Sequence, residues 1–418
     1  MSATQAKATW ASGTAPRWKS RTTAVDTVVR LTAVAYAATI AIAWKSYMRQ
    51  GRLLAEAPVV ESLAQLPAWC DQALLGLQIT ALAWLVLRPR SKAATLLSLA
   101  CTALWILQDA GRLQPPTYMF CAALAFAAAA GPNQAIGPLR TMVAGTYFWA
   151  GLWKANMTFW LATFPWFISG IRTYRGDHGL GDTAQSALGL MVPFLEAAIG
   201  LLLIPRSTRT MATIMAGCML LVVTASIGPT GLNWNKGVWP WNWWLAGIEV
   251  LLFTSLIGPT KRSTTGRWID GPVGWCALAL FCVLPGLTGF GLWPAYLGFE
   301  LYSGNTATAN ISLGEAGAHG ADARIAAATV ENNVSLLDLS MAEYGYATSP
   351  EPWILRAAAK GLCGHIADPG AAVLRLSEPP PPWSHIGVVY EEPLCPTQNS
   401  SATPEGPASA TAITPTQP

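Results

Sequence analysis

The chain has 418 residues, 52% of them hydrophobic and only 11% charged, with a mean hydropathy of +0.35; a soluble domain carries roughly twice that charge, so a water-soluble fold would lack polar residues to cover its surface. The net charge of +4 is spread without a dense Lys/Arg run, which excludes nucleic acid as a partner. Eight cysteines include no CxxC pair and four histidines fall at no metal-ligand spacing, so no metal centre is predicted.

Residues 1–24 read as a flexible cytoplasmic arm. Its Arg17, Lys19 and Arg21 precede an apolar segment with no small-residue cleavage site after it, which predicts a signal anchor. Windows approaching the roughly 20 apolar residues that cross a hydrocarbon core then recur at Val25–Trp44, Ala73–Leu87, Ala93–Leu107, Thr117–Gly131, Met142–Trp153, Ala187–Ile204, Met211–Gly228, Trp239–Gly258 and Val273–Trp293. They predict an all-α polytopic membrane protein of about nine transmembrane helices. Several windows are short, which leaves the count open by one or two. Ser46–Cys70 is a polar connection holding a predicted interfacial helix, Val59–Leu66, and Asn156–Gln185 is an aromatic loop broken by Pro165, suited to a lid or half-embedded helix on the outer face.

Beyond Trp293 the hydropathy collapses. The helical transmembrane domain is assigned to 25–310, a Gly/Ala-rich linker to 311–333, a small extracytoplasmic α+β appendage to 334–395 and a disordered Pro/Thr/Ser/Ala tail to 396–418. Within the appendage Val334–Leu339 and Ala371–Leu376 are predicted strands. Ser349, Pro350 and Glu351 supply a cap, a first-turn proline and a first-turn acid for a helix over Pro350–Cys363. Lys and Arg collect on the side of the N-terminus, with Arg88, Arg90, Lys92, Arg140, Arg206, Arg209, Lys261, Arg262 and Arg267, so the N-terminus is predicted cytoplasmic and, with an odd helix count, the C-terminal region extracytoplasmic. Cys363 and Cys395 then face an oxidising compartment, where they are the candidate disulfide. The other cysteines within apolar segments read as small packing residues. Arginine outnumbers lysine and alanine is abundant, which suits a GC-rich bacterium and its inner membrane.

An ionisable side chain inside a bilayer costs several kcal/mol on insertion scales and marks a functional hypothesis. Glu196 and Glu249 lie near the middles of their segments, where a carboxyl group either serves a proton path or stays protonated against a neighbouring helix; Asp109 is a third such acid. Lys154 ends the fifth segment, either as a desolvated base or as a snorkelling helix-end lysine. The loop Tyr174–Asp182 gathers Arg175, Asp177, His178 and Asp182, an acid/base pair or a solvated turn. Twenty tryptophans include Trp149, Trp153 and Trp241 near predicted outer ends, as an aromatic belt requires; with Tyr147 they are also the candidate lining of a flat, hydrophobic ligand site.

Four segments, Leu107–Tyr118, Tyr147–Asn156, Val238–Asn242 and Gly291–Asn305, resemble in order the motifs of the vitamin K-dependent gamma-carboxylase-like, or horizontally transferred transmembrane (HTTM) domain, proteins, which have DoxX-like relatives. The resemblance covers residues 25–310 and implies a helical membrane domain with an outward-facing cavity of quinone or lipid size near Lys154, which falls at the place of the lysine that deprotonates reduced vitamin K. The family's histidine falls at about Pro116, and no histidine precedes His178. A base normally acts with an oriented partner, so the expectation is a non-carboxylating accessory or maturation factor for a secreted or membrane partner engaged through the C-terminal region. The alternatives are a quinone- or lipid-dependent redox enzyme with Lys154 as base and Glu196, Glu249 or His178 moving protons, and a transporter.

Overall fold

The computed structural model describes residues 21–175, 182–254, 268–380, 387–395 and 410–413. Most of the arm and of the C-terminal tail therefore lies outside the described residues. The helices run α1 (Arg21–Ile42), α2 (Glu61–Ala64), α3 (Trp69–Leu87), α4 (Lys92–Gln108), α5 (Pro115–Gln134), α6 (Ile136–Trp153), α7 (Phe164–Arg175), α8 (Asp182–Leu202), α9 (Arg209–Ile227), α10 (Trp239–Phe253) and α11 (Gly271–Leu278), the last continuing through a π-helical turn, Ala279–Val283, and a 3-10 turn, Leu284–Phe290.

Five stretches among the described residues are long and apolar enough to cross a membrane: Ala24–Ile42, Trp69–Leu87, Thr183–Leu202, Arg209–Ile227 and Gly271–Phe290. At 1.5 Å per residue their 19 or 20 residues match a core of roughly 30 Å. Of the about nine expected, five thus meet this criterion among the described residues, and Lys92–Gln108, Pro115–Gly131 and Phe159–Ile171 form shorter apolar helices. Windows of apolar sequence do not reveal where helices stop: α5 breaks at Gly131, whose φ of 70° lies outside the helical region, and α10 ends after 15 residues where Thr254 turns extended. Helix α4, with 17 residues, is also short of a full crossing.

Helix α6 occupies the middle of the bundle, packed on α5, α8, α10 and α11. Small residues let these backbones approach: a Cβ at Gly151 would collide with the backbone of Ala197 in α8, and one at Gly200 with the backbone of Ala144 and Phe148 in α6. Close packing of this kind drives helix association in lipid, where burial from water no longer helps.

The C-terminal part is a six-stranded antiparallel sheet, ordered β2-β3-β1-β4-β5-β6, with helices on one face. Its elements are β1 (Thr308–Ser312), α12 (Gly314–His319), α13 (Ala323–Ala327), β2 (Thr329–Val330), β3 (Asn333–Ser335), α14 (Leu336–Tyr344), α15 (Pro352–Lys360), β4 (Val373–Glu378), β5 (Gly387–Pro393) and β6 (Ala410–Ile413). The sheet begins before 334: β1 spans the end of the stretch assigned to the transmembrane domain and the start of the one expected as a linker, which also carries two short helices and β2, because Ala309 and Ile311 alternate inward and need the partners that β3 and β4 supply. Of the first predicted strand, Val334–Leu339, only Val334 and Ser335 are extended, as the end of β3. Leu336, Leu339 and Tyr344 instead form a helical face, started by the Ser335 side chain accepting from the Asp338 amide. Strand β6 lies in the stretch expected to be disordered and pairs with β5. Cys363 and Cys395 are joined by a disulfide across a separation of 32 residues.

The sheet core also contains Leu53 and Leu54, which follow α1. Their segment is strapped to the domain by the Ala55 amide donating to the Ala358 carbonyl (3.1 Å) and the Leu54 amide to the Tyr344 hydroxyl (3.3 Å).

Gly200→Val is expected to overpack the α6–α8 seam and to lose about 1–3 kcal/mol of stability, read as a lowered thermal midpoint in detergent. Gly76→Ala, on the open face of α3 with nothing near its absent Cβ, is expected to hold or raise that midpoint.

Candidate functional site

Tyr147, Trp149, Trp153 and Lys154 all come from the last two turns of α6 and its C-cap. The Tyr147 hydroxyl donates to Glu249 of α10, which is completely buried and whose second carboxyl oxygen has no partner among the described residues. The Lys154 ammonium donates to Glu196 of α8 at 2.7 Å and to the Ala150 carbonyl at 3.2 Å, with both charged side chains about nine-tenths buried. The structure therefore joins Lys154 to Glu196 and Tyr147 to Glu249. His178 and Asp177 lie outside the described residues.

The tryptophans pack within the bundle. Trp149 and Trp153 stack with ring centroids 5.8 Å apart, and Trp149 donates to the Cys282 carbonyl at 3.1 Å. Trp241 points its indole N–H at the Met119 sulfur, 3.3 Å away. Trp44, Trp69, Trp84, Trp243 and Trp275 are more than half exposed and supply outward aromatic surface instead.

Asp109 belongs to a different cluster, at the joint between bundle and sheet domain. Arg52 donates to Asp109 (2.9 Å) and to the Tyr344 hydroxyl (3.2 Å). Arg112, almost fully buried, donates to Glu56 (3.0 Å), Gln108 (3.0 Å) and the Ser46 carbonyl (3.1 Å). Asp109 further accepts from the Ala57 and Gly111 amides. Burial alone would raise the Asp109 carboxyl, but Arg52 and Arg112 hold it below the usual aspartate value. Burial prevails at Glu56, which is raised despite the same arginines.

Beside this joint lies a cavity of about 390 Å³ between the sheet domain and the connections of the bundle that follow α6 and precede α10, within the 300–1,000 Å³ typical of ligand sites. Its walls include Thr163 and Trp166 from the segment after Lys154, Trp234 and Asn235 from the loop before α10, Glu300 and Tyr302, and Leu337, Asp338 and Met341 of α14. Asn156 ties the walls together: its side chain caps the Phe159 amide (2.8 Å) and donates to the Ser303 carbonyl (3.0 Å). Phe299 and Tyr302 have φ of 67° and 61°, a left-handed conformation rare for large side chains. The resulting turn brings Glu300 and Tyr302 to the cavity.

Glu300 is 5% exposed and its carboxyl is pushed up to about 8, first by burial and then by the neighbouring Glu351. The Asn235 Oδ1 atom and the Tyr302 hydroxyl are buried without hydrogen-bond partners among the described residues. None of Lys154, Glu196, Glu249, Tyr147, Trp149, Trp153 or Trp241 lines this cavity. Sequence reasoning passed over Glu300, Asn235 and Trp234 as site residues, and placed Trp166 among the tryptophans of an aromatic belt or flat-ligand lining. The available signal was the Gly291–Asn305 motif, in which Glu300 is the one acid of an apolar, aromatic run. Comparison with protein-family models, with characterised proteins and with solved structures finds no match.

Asp109→Ala is expected to cost about 3–5 kcal/mol by leaving two buried guanidinium groups short of a partner. Because the folded Asp109 value is lowered, its contribution is complete above the unfolded value near 4 and disappears as pH falls through the folded one. Thermal unfolding in detergent from pH 7 to pH 3 is therefore expected to lose part of its acid-dependent step in Asp109→Asn.

Proposed function

We propose that this chain is a membrane-embedded accessory or maturation factor that receives part of a secreted or membrane partner in the cavity between its helical bundle and its sheet domain. The observation that carries this reading is the Lys154–Glu196 ion pair. A lysine already engaged as a donor to a carboxylate 2.7 Å away cannot take a proton unless that pair opens. The base implied by the carboxylase-like resemblance is thereby occupied, while the cavity is lined by other residues. The alternative, a quinone- or lipid-dependent enzyme using Lys154, requires the α6–α8 seam to yield at its tightest contacts.

The four motifs still support a membrane domain of the carboxylase-like (HTTM) kind. The disulfide supports placing the sheet domain on the extracytoplasmic side, since cytosolic thiols are kept reduced. With the sheet domain there, the cavity opens on the face where a secreted partner would arrive.

A photo-reactive residue at Leu337, on the cavity wall, is expected to form one defined crosslink to a secreted or membrane polypeptide in native cells. That crosslink is expected to persist when Lys154 and Glu196 are both replaced by Met, because removing the whole pair is tolerated better than removing one partner. Loss of the crosslink in a double variant that still folds, or stoichiometric quinone in solvent extracts of the wild type but not of the variant, would transfer the function to Lys154.

A further inference from the structure

The cavity has a definite chemical sign. Among the described residues its charged lining consists of Glu300 and Asp338, with no lysine or arginine; Lys236, next to Asn235 in the chain, is exposed to solvent instead. Glu300 makes no ion pair or side-chain hydrogen bond among the described residues, although it is 95% shielded, and the acid nearest to it, Glu351, spends one oxygen on the Ala295 amide (2.8 Å). Buried polar groups are ordinarily satisfied. Here the Glu300 carboxyl has no protein partner among the described residues, while the Tyr302 phenol and the Asn235 side chain lie close enough to act on each other. The Asn235 oxygen is an acceptor and the Glu300 carboxyl becomes a pure acceptor once ionised, so a donor suits both.

Aromatic faces accompany these acceptors. Trp166 stands edge-to-face with Trp234 at 5.7 Å between ring centroids and lies 6.4 Å from the Tyr302 ring. Such faces attract cations through their quadrupoles, most strongly where water is excluded. An anionic ligand would meet two acids, and a neutral one would leave Glu300 in its protonated form, whereas a cation is matched by the carboxylate.

We propose that the cavity binds its ligand through a hydrogen-bond-donating cationic nitrogen, an alkylammonium or guanidinium group, held by Glu300 and Asn235 beside Trp166 and Trp234. The inference rests on the cavity being the binding site of the preceding section and gives its ligand a chemistry. Either a lysine or arginine side chain of a polypeptide or the head of a small amine supplies that group. Its charge also gives the site a pH dependence. The free Glu300 carboxyl, raised by burial and by Glu351, takes up a proton below about 8, whereas the bound form must be the carboxylate. Asp338, Tyr296 and Tyr302 are the other titratable groups lining the cavity; the two phenols are raised by burial and stay protonated.

Calorimetric titration of the full chain in detergent with n-pentylammonium, Nα-acetyl-lysine methylamide and the neutral n-pentanol tests this. Both cations are expected to bind in preference to the alcohol, and binding by the lysine derivative alone would assign the group to a polypeptide side chain. Affinity is expected to be more than about tenfold weaker at pH 6.5 than at pH 8.5, where alkylammonium groups remain charged throughout. Glu300→Gln is expected to lose at least about tenfold in affinity without lowering the thermal midpoint, since the amide removes a buried acid of the same shape. Equal binding of n-pentanol and n-pentylammonium, or unchanged affinity in Glu300→Gln, would overturn the proposal. If neither cation binds while the Leu337 crosslink persists, the cationic chemistry fails and the accessory reading stands; if the crosslink is absent as well, both fall.

Discussion

Two buried arginines closed around two acids hold the molecule in one piece. Arg52 and Arg112, with Asp109 and Glu56, sit where α4 ends, where the segment after α1 crosses, and where Tyr344 and Tyr346 of the sheet domain press against the bundle. Charges withdrawn from water are costly unless every donor and acceptor finds a partner, and here the partners come from three separated parts of the chain. The cavity exists because this joint fixes the sheet domain beside the connections that follow α6 and precede α10 and leaves the space next to it unfilled.

The intramembrane charges obey the same rule on a smaller scale. Glu196 is answered by Lys154 and Glu249 by Tyr147, each across a helix contact that α6 makes with its neighbours. Gly151 and Gly200 bring the backbones of α6 and α8 close enough for the shorter of these side chains to reach. The arrangement secures the register between helices, and a register role accounts for the placement of these residues as fully as proton transfer does.

Much of the bundle was legible in the sequence, because apolar length and the cost of an unpartnered peptide group leave few alternatives to helix in lipid. The short helices were not, since the stop signals are a single Gly131 conformation and the turn at Thr254. The sheet was half legible. Val373–Glu378 alternates cleanly, whereas Thr308–Ser312 hides among small residues and needs its partners, far away in the chain, to be recognised as a strand. The acids of the helices stood out at once against apolar surroundings. Glu300 did not, because its isolation from any counter-charge is a property of three loops brought together by the fold, not of the sequence around it.

The contribution of Leu53 and Leu54 to the sheet core has a consequence for biosynthesis. These residues are made directly after α1, yet the groups that enclose them, Tyr344 and Ala358 among them, are made near the end of translation. The sheet domain cannot close its core as an independent module while the chain is being made. It can do so only after the intervening helices are inserted and the early segment is presented on the correct side of the membrane. Completion of that core is thus a built-in check on topology: a chain threaded with one helix missing or inverted would leave two leucines in water and an unfinished domain, the kind of surface that quality-control proteases recognise.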